Sequence, residues 1–162
     1  MTMRAEDRLG YHVKRVEQEL MAVKHVAIKP SGLTVPQYTA LAILSQHPGA
    51  STSALARFAL VTPQTMATIM ANLDAKGLIV KVPDPYHLNS QQIELTAAGR
   101  KVLGTADDAA VKVERAIGEA FTAQERDTLV DLLARFSSTL EEQAAKLTGT
   151  GPALTPFRTN PS

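Results

Sequence analysis

Leu9, Val13, Val16, Leu20, Val23 and Ala27 recur at alternating spacings of four and three. That is a heptad seam on a helix of roughly twenty residues that ends near Pro30. Lys14, Arg15, Glu17, Glu19 and Lys24 occupy the other faces. Such a seam is either the inner face of a core helix or the contact face of a dimer, and its regularity favours the interface. Ser31-Gly32 marks a loop, and Thr34-Val-Pro-Gln37 has the form of a capping box. The helix it opens carries Tyr38, Leu41, Ala42 and Leu44 and stops at His47-Pro48-Gly49. A very short helix follows from Ser51, with Leu55 and Phe58 expected inward and Arg57 outward.

The next helix has the clearest ends. Thr62 is a good N-cap, Pro63 fits the first helical position, and Gly77 stops the helix with Lys76 in its last turn. Met66, Ile69, Met70 and Leu73 form a buried stripe. The opposite face carries Gln64, Thr65, Thr68 and Asn72, which are polar and uncharged. This face suits base edges in a DNA major groove, where Gln and Asn pair with adenine and Ser or Thr with several bases. An ordinary amphipathic surface helix would show the same pattern.

After Gly77 the period changes to two. Leu78, Val80 and Val82 alternate with Ile79 and Lys81, residues 83–90 read as a turn, and Ile93 and Leu95 alternate with Gln92 and Glu94. This is a β-hairpin placed directly after a helix-turn-helix, the order of a winged helix. Thr96 caps another helix with the seam Leu103, Ala106, Ala110, Val113 and Ile117. Thr122-Ala-Gln-Glu125 is a second capping box, before a helix expected to bury Leu129, Leu132, Leu133, Phe136 and Leu140. Beyond Leu147 the glycines and prolines follow no period and read as a flexible tail.

Composition narrows the classes. The chain has 162 residues, 44% of them hydrophobic, so a real core is affordable by area. The net charge of +1 does not announce a nucleic-acid binder, and the absence of cysteine removes disulfides and thiolate metal sites. No long apolar run and no signal-peptide core are visible, which reads as a cytoplasmic protein without a membrane span. His12, His25, His47 and His87 are scattered, and Asp107-Asp108 reads as a solvated face, so neither a metal nor a cofactor is expected. Nucleophile elbow, P-loop and dinucleotide fingerprint are all missing, and no enzyme is expected.

Two stretches carry a family resemblance: Leu73-Asp-Ala-Lys-Gly-Leu-Ile79 and, beyond the hairpin, Leu95-Thr-Ala-Ala-Gly99. Together, at this spacing, they resemble the MarR family of bacterial winged helix-turn-helix regulators over roughly residues 9–146. The resemblance implies a mainly α fold with a small β-hairpin wing and long N- and C-terminal dimerisation helices. It divides the chain into a dimerisation helix (1–30), a DNA-binding head (31–96), C-terminal dimerisation helices (97–147) and the tail (148–162). It implies a homodimer on a pseudo-palindromic operator in double-stranded DNA, with a small effector between the helical base and the head. A small apolar or aromatic effector is expected there, with no pocket residue named.

On this reading Gln64, Thr65 and Thr68 face the bases, with Thr62 at the start of the same helix. Ser51, Ser53, Arg57 and Lys81 face phosphates, and His87 and Asn89 stand at the wing tip. The family often has arginines where this chain has Thr68 and Asn72, and Asp-Arg-Arg where it has His87, Leu88 and Asn89. From Ser51 to Thr96 the cations Arg57, Lys76 and Lys81 are offset by Asp74, Asp84 and Glu94. A neutral head of this kind leaves open a second reading, a winged-helix protein-interaction or small-molecule-binding module with weak or no DNA binding.

Overall fold

In the computed structural model, residues 3–83 and 91–148 are described. After a single 3-10 turn the chain forms α1 (Leu9–Ile28), α2 (Val35–Gln46), α3 (Thr52–Phe58) and α4 (Pro63–Ala75). The antiparallel strands β1 (Ile79–Pro83) and β2 (Gln91–Leu95) precede the long helices α5 (Ala97–Glu119) and α6 (Ala123–Thr148). Register pairs Ile79 with Leu95 and Lys81 with Ile93. The architecture is a winged helix carried on long helices.

Local chemistry sets the boundaries. Gln37 N–H donates to the Thr34 hydroxyl while Thr34 N–H donates to Gln37 Oε1, closing the capping box of α2. Thr62, Thr96 and Thr122 accept from Thr65, Gly99 and Glu125 N–H in the same way. Each such cap satisfies an otherwise orphaned donor and is worth about 1 kcal/mol. Gly77 turns the chain out of α4 at φ 66°, a left-handed conformation that costs glycine nothing.

One core joins head and base. Ile28 of α1, Leu41 and Leu44 of α2, Leu55 of α3, Met66 and Leu73 of α4 and Ala106 and Ala110 of α5 are all buried. Burying each larger side chain contributes roughly 1.5–3 kcal/mol. The small residues Ala106 and Ala110 let α5 approach closely.

Three expectations need correction. Phe58 does not point inward: it is 41% exposed and stacks flat on His47, and Ala56 takes the inward place beside Leu55. In β1 the buried residue is Ile79, while Val80 faces solvent. The turn at Gly77 brings both Leu78 and Ile79 against the core, which breaks the simple alternation. Leu129, Leu132, Leu133 and Leu140 of α6 are exposed in the single chain, as are Leu9, Val13, Val16 and Val23 of α1. Among the described residues, helix α6 shares no extensive contact with the other elements, whereas α1 packs along α5. The flexible-tail reading of 148–162 falls almost wholly outside the described residues.

Candidate nucleic-acid interface

Helix α4 is held from behind. Its buried stripe of Met66, Ile69, Met70 and Leu73 fixes its rotation, so Gln64, Thr65, Thr68 and Asn72 are exposed together on the outer face. Exposure alone does not make these side chains equivalent. Thr62 Oγ1 lies 2.8 Å from Thr65 Oγ1 and also accepts from Thr65 N–H, so both hydroxyls are engaged at the cap. The Thr68 hydroxyl donates back to Gln64 O at 3.2 Å. The Gln64 amide has no side-chain partner among the described residues, which leaves its donor and acceptor available outward.

The other described candidates belong to α3 and β1, which both pack against α4. Ser51 caps α3 by accepting from Ala54 N–H, and Ser53 and Arg57 are exposed on the same short helix. Lys81 is exposed on β1. His87 and Asn89, the candidates at the wing tip, lie outside the described residues. Ser51, Ser53, Arg57, Thr62, Gln64, Thr65, Thr68 and Lys81 are thus all exposed, on α3, α4 and β1 or at the N-caps of the two helices.

The turn between α3 and α4 contains Leu60 at φ 56°. Left-handed backbone is costly for a branched side chain, by about 1–2 kcal/mol. Backbone bonds from Leu60 N–H to Arg57 O and from Val61 N–H to Ala56 O hold the turn in place.

The cation supply is thin. Lys76 Nζ donates to Gln37 Oε1 at 3.0 Å and to Gly32 O at 3.2 Å, so it ties the end of α4 to the start of α2. Gln37, only 8% exposed, is the buried polar residue that receives it. Sequence reading placed Lys76 beside the helix dipole and missed this second role, because Gln37 is 39 residues away. Among the arm residues, Arg4 pairs with Glu6, Lys14 with Glu17 and Arg15 with Glu19. These pairs are exposed and stabilise little, but they offset the charge that a phosphate would meet.

The Thr96-to-Gly99 segment acts as a second tie. Thr96 N–H donates to Leu78 O, and Thr96 Oγ1 donates to Gly77 O at 2.7 Å. A Cβ on Gly99 would collide with the Leu78 carbonyl group. The two halves of the sequence motif thus meet: the glycine turn after α4 docks on the N-terminus of α5, and only glycine permits the approach.

Between head and base, Tyr38 of α2 donates to Asp107 of α5 at 2.7 Å, and Lys24 of α1 pairs with Glu114 of α5. Burial pushes the Tyr38 hydroxyl well above the usual phenol range, and the bond to Asp107 adds to the shift. No three His, Asp or Glu side chains among the described residues are placed to hold a metal. No described helix is long and apolar enough to cross a membrane.

Comparison with known proteins adds the ancestry. Residues 31–87 match the MarR family profile. An HTH-type transcriptional repressor of Mycobacterium tuberculosis, Rv2887, is 32% identical over 130 residues, covering 80% of this chain and 94% of that one. The crystal structure of that MarR family protein with salicylic acid aligns at a TM-score of 0.62, over 80% of this chain and 96% of the other. The transcriptional regulator HosA of Escherichia coli is 28% identical over 66% of this chain and 79% of its own length. A probable transcriptional regulator from Pseudomonas aeruginosa is 29% identical with a TM-score of 0.71, covering 82% of this chain and 99% of that one. The identity to the mycobacterial repressor, sustained across nearly its whole length and across head and base alike, places this chain in the MarR family.

Proposed function

We propose that this DNA-binding transcriptional regulator acts as a repressor in the cytoplasm, as a homodimer on a pseudo-palindromic operator, and is released by a small ligand. The observation that carries the DNA reading is the outer face of α4. It is polar, exposed and uncharged, and its two amides, Gln64 and Asn72, have no side-chain partner among the described residues, on a helix locked from behind by a buried stripe. Gln64 reads a base edge in the major groove, with Thr65 and Thr68 beside it. Ser51, Ser53, Arg57 and Lys81 contact phosphate, and Thr62 positions the helix start. In the same reading 1–30 and 97–147 form the dimer base and 31–96 the head.

The dimer reading is supported by the apolar seams of α1 and α6, which one chain leaves uncovered. A second copy would remove them from water, each buried CH₂ contributing about 0.8 kcal/mol. Two heads related by a two-fold axis then meet half-sites about one helical turn, roughly 10 base pairs, apart. The ligand reading is supported by family membership and by the salicylic acid complex of the mycobacterial relative. A ligand releases DNA only if it binds the two head spacings with different affinity.

The test is fluorescence anisotropy on operator and scrambled duplexes at several salt concentrations. Gln64→Ala should cost roughly 1–3 kcal/mol per half-site and relax preference at one base position. Lys81→Ala should weaken all sequences alike. Each phosphate contact adds about −0.9 to the log–log salt slope, so this cation-poor head should show a shallow slope. An operator-to-scrambled ratio unchanged by Gln64→Ala would remove the recognition-helix assignment. No binding of either duplex at low salt would replace the repressor reading by the interaction-module one.

A further inference from the structure

Helix α5 starts at the head and runs into the helical base, so its angle decides where the head points. At its first turn Thr96 ties it to Gly77 and Leu78. One tie is a pivot and leaves the angle open. Beyond that turn α5 buries only Ala106 and Ala110, both small. Apolar contact is non-directional, so these methyls hold α5 against the head without choosing an angle.

The angle is chosen by a directional bond. Tyr38 of α2 packs its ring on the core and donates its hydroxyl to Asp107 Oδ1 at 2.7 Å. Core packing does not account for the hydroxyl, since a phenylalanine ring would fill the same space. Among the described residues this is the one side-chain hydrogen bond from the head to α5 beyond its first turn. Asp107 lies roughly 16 Å along the axis from Thr96, at about 1.5 Å per residue. With that lever arm, a slip of about 1 Å at Asp107 turns α5 by only about 3–4°. Glu114, one heptad further along the same face, pairs with Lys24 of α1. That pair lies within the base and cannot set the head.

We propose that Tyr38 is a positioning residue for DNA binding: through Asp107 it sets the angle of the head on α5, and thereby the half-site spacing that the dimer accepts. This rests on the reading of a two-fold dimer on a pseudo-palindromic operator. In such a dimer both heads turn together, so a small rotation counts twice. One inserted base pair shifts a half-site by about 3.4 Å along the duplex and about a tenth of a turn around it. A latched head cannot follow that shift, whereas an unlatched one can. Base choice is untouched, because the rotation of α4 is fixed by its own buried stripe.

The experiment uses the full-length protein and a duplex that the wild type recovers from a random-sequence pool. Anisotropy compares it with duplexes whose half-sites stand one base pair closer or further apart, and with one carrying a replaced base pair in each half-site. Wild type should lose about tenfold or more in affinity at either altered spacing. Tyr38→Phe and Asp107→Ala should reduce that loss to about threefold or less while discriminating the replaced base pair as wild type does. Asp107→Asn, which keeps an acceptor, should retain the wild-type spacing preference. The double variant Tyr38→Phe/Asp107→Ala should lose no more than either single one, because both remove the same bond. The latch is overturned if Tyr38→Phe and Asp107→Ala keep the wild-type spacing preference, or if Asp107→Asn loses as much of it as Asp107→Ala. It is also overturned if spacing and base discrimination fall together, which marks a loosened fold, or if the losses of the two single variants add. A wild type that accepts every spacing alike, or recovers no duplex, sinks the two-fold operator reading and the latch with it. A wild type with a sharp spacing preference that Tyr38→Phe shares sinks the latch alone.

Discussion

Gly99→Ala and Gly104→Ala make the same change in one helix and should move stability in opposite directions. At Gly99 the new methyl would stand 3.0 Å from the Leu78 carbonyl carbon and closer still to its oxygen. Both atoms are backbone, so no side chain can swing aside; α5 must retreat from the corner between α4 and β1. Retreat breaks the Thr96 N–H bond to Leu78 O at 3.1 Å and the Thr96 hydroxyl bond to Gly77 O at 2.7 Å. Two such bonds contribute about 1 kcal/mol each, and forced overpacking costs about 1–3 kcal/mol more. Alanine returns roughly 0.5–1 kcal/mol of helix propensity. The balance is a loss of roughly 2–4 kcal/mol. At Gly104 an added Cβ would have no heavy atom within 4 Å, so only the propensity term remains, a gain of about 0.5–1 kcal/mol. Urea unfolding followed by circular dichroism at one fixed protein concentration reads both, because the stability of a dimer depends on concentration. If Gly99→Ala unfolds at or above the wild-type midpoint, the docking of α5 on the glycine turn is not what holds this corner.

Three further outcomes are expected. Leu132→Glu places a charge on the α6 seam, 46% exposed in one chain and buried once a partner covers it, at a cost of several kcal/mol; light scattering should find aggregated or unfolded material, and a well-folded monomer would remove the obligate dimer. Leu60→Gly relieves the left-handed strain and removes a side chain that is 59% exposed, so the unfolding midpoint should rise by the equivalent of about 0.5–1 kcal/mol; a lower midpoint would mean that Leu60 is packed in the dimer. Glu125 accepts from Thr122 N–H and its hydroxyl, backbone bond first, which holds its carboxyl below the ordinary value of 4.5. A lowered value means that the stabilisation is complete above 4.5 and is lost as pH falls through the folded value, so the melting difference between wild type and Glu125→Gln should shrink in acid; a constant difference would refute the capping role.

Sequence pattern located the six α-helices of the described residues, both capping boxes and the hairpin because each rests on contacts within a few residues. Its failures share a cause. The period of the α6 leucines says that a face leaves water, not whether the same chain or a second copy covers it. Strict alternation fails at Leu78 and Ile79 because the strand leaves a glycine turn already pressed on the core, so two consecutive residues are buried. Phe58 looked like a core residue by type, but α3 is so short that its last turn overhangs the core and finds His47. At the candidate interface, sequence identified the polar face of α4 but could not rank its members. Which hydroxyls are engaged at the Thr62 cap is a matter of ångströms.

The end of α4 is fastened twice, by Lys76 to the start of α2 and by Gly77 to Thr96 at the start of α5. On the reading proposed above, a recognition helix fastened in this way travels with the whole head. On that same proposal, a signal that tilts the head changes how long the protein stays on DNA, but not which bases it prefers once there. In a genome the set of sites served would stay fixed while their occupancy rises and falls together. Drift of the regulated set would have to come through mutation of the α4 surface, and drift of the inducing signal through the base. These two parts of the chain can evolve separately because the ties at the end of α4 hold it to its neighbours in the head.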